Sequence, residues 1–204
     1  TAHLYVRTAL SSTDGLRIRL PGSLDHLSAA AVLDRYRLLA LEQASRASRG
    51  TPAATPAADS LLRDLYLLAE AAAIDASLVV MLPRLRLAIA DARDEAGRQR
   101  TRIPNPSRQE ESVDALVDAL LTADPAVPPT PFIVSDVPLA SLRWAATVRA
   151  QVAQLPGPYR GMAPIALWGA AATAPESGAT TGAVEDERSP QSTRSHTLRR
   201  RPRV

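Results

Sequence analysis

The chain has no cysteine and no lysine, a single asparagine, and few aromatic residues: two Trp, four Tyr and one Phe in 204 positions. The lack of cysteine excludes disulfides, thiolate metal ligands and a cysteine nucleophile within this sequence, and it fits a reducing compartment. No run of about 18 apolar residues occurs, so we predict no membrane span. Because the first residues also lack the charged and apolar regions of a signal peptide, we expect a cytoplasmic protein.

Motifs for catalysis and cofactor binding are absent as well. The sequence contains no phosphate-binding GxxxxGK or GxGxxG and no GxSxG nucleophile motif. His3, His26 and His196 lie in unrelated segments, without the i, i+4 spacing of a zinc site. Glu70 and Asp75 would point about 140° apart on a helix, so we expect each to meet an arginine or solvent. We therefore predict a non-enzymatic protein without catalytic residues, cofactors or metal ligands, and keep a degenerate metallohydrolase-like domain as an alternative.

The spacing of apolar residues predicts a mainly α fold, an irregular bundle of about five helices within residues 1–169. The predicted helices cover about residues 24–49, 60–82 and 137–154, a segment that Pro83 kinks or restarts, and a segment that begins at Ser107. Local signals mark their ends. Gly50 is a typical helix stop, Asp59 and Asp136 are candidate N-caps, and Ser107 to Glu110 form a capping box.

The helix over residues 60–82 is predicted to be the central one. One apolar stripe along it contains Leu65 and Leu68, and a second stripe on another side contains Leu67 and Ile74. A helix that is apolar on two sides packs against neighbours on both. We therefore expect both stripes to be buried between helices.

A short N-terminal hairpin is also predicted. Leu16, Ile18 and Leu20 alternate with arginines, which is the period of a half-buried strand. Asp14 and Gly15 before them form a turn signal. The first arm of the hairpin would then run through the segment around residues 4–6.

The charge of the chain is concentrated near its end. Residues 1–175 hold 18 Arg and 17 acidic residues, whereas residues 189–204 hold five Arg and no acidic residue. Residues 170–204 are rich in Ala, Thr, Ser, Gly and Pro, so we predict a disordered tail or an interdomain linker. Nucleic-acid or acidic-surface binding through this tail is an alternative function, although short basic runs without aromatics are non-specific. Its basic cluster consists of Arg194, Arg199, Arg200, Arg201 and Arg203.

Residues 155–169, LPGPYRGMAPIALWG, hold two of the few aromatic side chains in a segment too rich in Pro and Gly for a helix or strand. Tyr159 and Trp168 are predicted to pin this irregular segment against the helices. In the alternative interpretation, Tyr159, Arg160 and Trp168 are partner-binding residues.

Five segments occur in an order that is similar to a known family. They are DGLRIRLPGSLD, YRLLALEQASRASRGT, LLRDLYLLAEAAAIDASLVVMLPRLRLAIADAR, SLRWAATVRAQVAQLPGPYRGMAPIALWG and LRRRPRV. The first four cover most of residues 14–169, and the fifth is residues 198–204. Together they resemble the N-terminal region of nitric-oxide-reductase activation proteins of the NorD type. The resemblance implies a helical accessory or adaptor domain, chaperone-like in role, that works with a MoxR-type AAA+ ATPase and a von Willebrand factor A domain. The target metalloenzyme is not indicated.

The sequence also departs from that family. Where relatives carry a histidine-rich H-x-x-x-H-like stretch, this chain has residues 42–46, EQASR. Where they carry a motif similar to E-D-x-R-I-D, it has residues 70–75, EAAAID, and it ends before an A domain. Neither motif is complete, so no metal site is inferred from the resemblance. The sequence leaves open whether the gene is truncated or encodes a split subunit.

Overall fold

The computed structural model describes residues 10–24 and 27–169. Five long helices and one single-turn helix follow a short antiparallel hairpin, so the predicted mainly α fold is confirmed. Within this part of the chain, no helix is long and apolar enough to cross a membrane. The elements are β1 Ser12–Thr13, β2 Ile18–Arg19, α1 Ala29–Arg49, α2 Thr51–Ala54, α3 Ser60–Met81, α4 Leu85–Gln99, α5 Arg108–Thr122 and α6 Pro138–Val152.

Helix α3 is the centre of the fold, as its two apolar stripes predict. It packs most extensively on α6 and also contacts α1, α4 and α5. Leu65, Leu68 and Ile74 are fully buried, whereas Leu67 is only partly buried. The neighbours on several sides explain why so little of α3 reaches the surface.

Local sequence signals set most helix ends. The Asp59 side chain accepts a hydrogen bond from the Leu62 N–H, and Gly50 ends α1 in the left-handed conformation at φ 78°. Ser107 and Glu110 form the predicted capping box of α5. The prediction for Asp136 is wrong: α6 follows Val137 without a side-chain cap. Pro138 at its first position has no N–H, so one unpaired donor is already removed.

Two regions differ from the prediction, and the break at Pro83 follows one of its alternatives. Helix α1 begins at Ala29, after the N-cap Ser28, rather than near residue 24. Pro83 restarts the helix, which is one of the two predicted outcomes, since α3 ends at Met81 and α4 begins at Leu85. The segment between the two helices predicted over residues 24–49 and 60–82 contains the single turn of α2, where Thr51 is buried. Packing against the neighbouring helices stabilises this turn, which the composition of the segment does not predict.

The hairpin forms, but on a different first arm and with a different buried face. Ser12 pairs with Arg19 and Thr13 with Ile18. Asp14 closes the turn because its Oδ1 accepts hydrogen bonds from the next residues, and Gly15 has φ 93°. The segment around residues 4–6 lies outside the described residues. The side chain of Leu16 is 92% exposed, so the alternating apolar residues do not face the core. Ser11 and Thr13, small polar residues of the first arm, are buried instead.

Candidate functional site

Residues 155–169, which we call the strap, lie across the helices and are held by polar side chains. The Tyr159 hydroxyl donates to Asp64 Oδ2 at 2.8 Å, and the Met162 N–H donates to the same oxygen at 2.9 Å. Burial raises the pKa of Tyr159, and the neighbouring Asp64 raises it further, so the hydroxyl keeps its proton and donates. Trp168 is buried near the end of the strap. Both aromatic residues therefore have the pinning geometry that the sequence predicts, and partner contacts through them stay a prediction.

Arg160 ties the strap to the start of α5. Its Nε donates to Glu110 Oε1 at 2.8 Å, and its Nη2 donates to Glu110 Oε2 at 2.8 Å. The Ser107 N–H donates to Glu110 Oε2 as part of the capping box. Hydrogen bonds from Arg160 are the main reason that the pKa of Glu110 is lowered to about 2. One carboxylate therefore serves both a helix N-terminus and the strap.

Glu70 is fully buried and paired with an arginine. Arg49 donates to it through Nε and Nη2, and the Thr51 hydroxyl donates at 2.5 Å. Burial by itself raises the pKa of Glu70, but hydrogen bonds, those from Arg49 first among them, outweigh it and lower the pKa. The contact ties α3 to the end of α1 and the first turn of α2.

Asp75 meets a different arginine, as the 140° separation on the helix predicts. Arg93 donates to Asp75 Oδ2 through Nε and Nη2, at 2.8 and 2.5 Å. Its Nη1 donates to the Leu120 and Ala123 carbonyl oxygens, near the end of α5. One fully buried guanidinium therefore joins α3, α4 and α5.

Glu42 of α1 is a second buried carboxyl group next to Asp75. Burial raises the pKa of Glu42 well above its ordinary value, and the charge of Asp75 raises it further, against the opposing effects of Arg46 and Arg93. Asp75 Oδ1 accepts no hydrogen bond from another group. The raised pKa therefore favours the protonated form of Glu42 beside Asp75.

Arg46 lies one helical turn after Glu42 and has no comparable partner. Its side chain is 5% exposed, and its Nε and Nη2 are buried without a hydrogen-bond acceptor. The sequence drew attention to positions 42 and 46 only through their departure from a histidine motif. A better signal was available: Glu42, Gln43 and Arg46 continue the buried side of α1 that Leu38 and Leu39 begin.

The described residues contain no group of three or more His, Asp or Glu side chains that could hold a metal ion. His3, His26 and His196 lie outside the described part of the chain, as does the basic cluster of the tail. Nucleic-acid binding through Arg194, Arg199, Arg200, Arg201 and Arg203 therefore stays a prediction from the sequence. The same holds for the predicted disorder of residues 170–204.

The fold and its buried polar side chains define a helical bundle closed by a pinned strap, with arginine–carboxylate contacts between its elements. No protein-family model matches the chain. No curated protein and no solved structure matches it either.

Proposed function

We propose that this chain is a non-enzymatic adaptor domain of an AAA+ ATPase-linked system that activates a metalloenzyme, and that it binds a protein partner through one end of the bundle. The order of the five sequence segments supports the kind of system. The observation that carries the binding role is an apolar surface around the α3–α4 junction, which we call the junction surface. Its members are Val80, Met81, Leu82 and Leu87.

Three of the four aliphatic side chains of the junction surface are more than half exposed. Val80 is 78% exposed, Leu87 76% and Met81 61%. Single exposed aliphatic residues are ordinary, but a contiguous apolar patch typically marks a protein interaction site. Exposed Arg84 and Arg86 lie beside it and would supply a polar rim.

A groove extends the junction surface along the bundle. Met81 and Leu82 line it together with Leu41 of α1 and Leu78 of α3. The groove encloses about 600 Å³ and is open to solvent. Helix-in-groove recognition needs such an apolar channel, with anchors from a partner helix at i, i+3 and i+4. A helical segment of the ATPase or of an A domain would suit it.

Affinity capture with a MoxR-type ATPase, in the presence of the corresponding A domain, tests this proposal. Met81→Asp and Leu87→Asp place a charge in the interface, and we expect each to weaken capture by about tenfold or more, as for hot-spot residues. Leu16→Asp, on the exposed hairpin turn, is the matched control and should bind like the parent. The proposal fails if the parent captures no such ATPase, or if both interface variants bind as well as the control.

A further inference from the structure

A cavity of about 240 Å³ lies beneath the strap, between α1 and α3. Its walls are mostly apolar, with Leu67 and Leu68 from α3 and Met162, Ile165 and Trp168 from the strap. The volume is below the roughly 300–1,000 Å³ of sites for drug-sized ligands. A ligand in this cavity must therefore be small and largely apolar.

Arg46 also lines the cavity and is the polar residue that bears on which ligand it can bind. Its Nε and Nη2, the two nitrogens along one edge of the guanidinium, are buried without an acceptor. That edge matches the two oxygens of a carboxylate, to which arginine donates in parallel. A buried charge without partners is costly, so the site favours an anion.

Trp168, which also lines the cavity, carries a second unpaired donor. The indole Nε1–H of Trp168 is buried and has no acceptor. It can donate a hydrogen bond but cannot accept one, which again suits an anion rather than a cation. The two residues come from α1 and from the strap, so a ligand held by both would link them.

The other charged groups of the lining already have partners. Asp64 accepts hydrogen bonds from Tyr159, Met162 and Arg63, and its charge is balanced by Arg63. Glu42, one turn before Arg46, makes no hydrogen bond to it, and burial next to Asp75 favours its protonated form. Arg46 is therefore left without a hydrogen-bonded counter-charge.

We propose that this cavity binds a small organic monocarboxylate, with the carboxylate on Arg46 and Trp168 Nε1 and the apolar body against Leu68 and Met162. A phosphate brings more oxygens and charge than one guanidinium edge and one indole N–H can satisfy. This site is separate from the junction surface, and its occupation does not depend on the adaptor role.

The test uses the whole chain and titrates benzoate and 4-methylpentanoate, with benzamide and inorganic phosphate as probes of charge and shape. We expect both carboxylates to raise the melting temperature, to shift the Trp168 indole N–H resonance and to bind with a Kd below about 1 mM, which corresponds to about −4.1 kcal/mol. Benzamide and phosphate should produce none of these effects at the same concentration.

Variants assign the binding to the proposed groups. Arg46→Met should weaken benzoate binding at least about tenfold, whereas Arg37→Met, which removes an exposed arginine of the same helix outside the cavity lining, should change it less than twofold. Trp168→Phe keeps an aromatic ring but removes the N–H, and it should weaken benzoate binding severalfold. This variant tests the proposal even if Arg46→Met does not fold. The proposal is overturned if neither carboxylate shifts the indole resonance at 10 mM, if benzamide binds equally well, or if neither Arg46→Met nor Trp168→Phe weakens binding.

Discussion

Arg93 of α4 donates two hydrogen bonds to one oxygen of Asp75 in α3, at 2.8 and 2.5 Å, and both side chains are buried. The remaining nitrogen of the guanidinium reaches the Leu120 and Ala123 carbonyl oxygens. A buried pair of this kind is sensitive to the loss of one partner, because the other is left charged and unpaired.

Arg93→Met is accordingly expected to lower the free energy of unfolding by about 3–5 kcal/mol. That is a large part of the roughly 5–15 kcal/mol by which a domain of this size is stable. Adding Asp75→Leu removes the unpaired charge, so the double variant should be more stable than Arg93→Met alone. Urea denaturation of the two variants and the parent measures this. A double variant less stable than the single one would contradict the ion-pair argument.

Leu68→Ala tests the central position of α3. The leucine is fully buried, so its truncation should lower the free energy of unfolding by about 2–5 kcal/mol, the range for emptying a core leucine site. Leu67→Ala, on the same helix but only partly buried, is the control and should cost less. Thermal melts followed by circular dichroism compare them, and equal losses would mean that burial does not distinguish the two positions.

Acid should weaken the contact between the strap and α5. The pKa of Glu110 in the folded protein is about 2, below the ordinary value of 4.5. A lowered pKa contributes stability that is fully present above the unfolded value and is lost as the pH falls from about 4.5 towards 2. Arg160→Ala removes the main cause of the shift. The difference in melting temperature between parent and variant should therefore be largest near pH 7 and shrink by pH 3; a constant difference would argue against this linkage.

Gly169 at the end of the strap cannot accept a side chain. It has φ 77°, and an added Cβ would lie 2.1 Å from the Ser11 carbonyl oxygen. Gly50 provides a matched control, because it has φ 78° and no atom within 4 Å of an added Cβ. Gly50→Ala should lower the free energy of unfolding only by the penalty of the left-handed conformation, about 1–2 kcal/mol. Gly169→Ala should lower it clearly more, because the added methyl group also meets the Ser11 carbonyl oxygen. Equal losses in chemical denaturation would show that the hairpin moves aside for the methyl group.

The burial of Glu70 could not be predicted from the sequence. On its position alone, a surface acid with little effect on stability is a reasonable expectation, yet Glu70 is fully buried and accepts hydrogen bonds from Arg49 and Thr51. The sequence predicts correctly that Glu70 and Asp75 do not face each other, because that follows from the helical period. Their partners come from α1, α2 and α4, and no local pattern identifies them.

The sequence by itself determined the long helices of this protein. Apolar spacing, the capping box at Ser107, the Asp59 cap and the Gly50 stop are local signals, and each acts within a few residues of itself. They depend little on the rest of the chain, so the bounds of α3 and the start of α5 follow closely from the sequence.

Only the tertiary structure decided which polar side chains are buried and which apolar ones are exposed. Glu42 and Arg46 lie inside, whereas Val80 and Leu87 lie outside, against the preference of each residue type. Burial is decided by which elements pack together, and in this fold residues as distant as Asp64 and Met162 meet. The cavity beneath the strap and the junction surface both follow from that packing, because neither exists on any single helix.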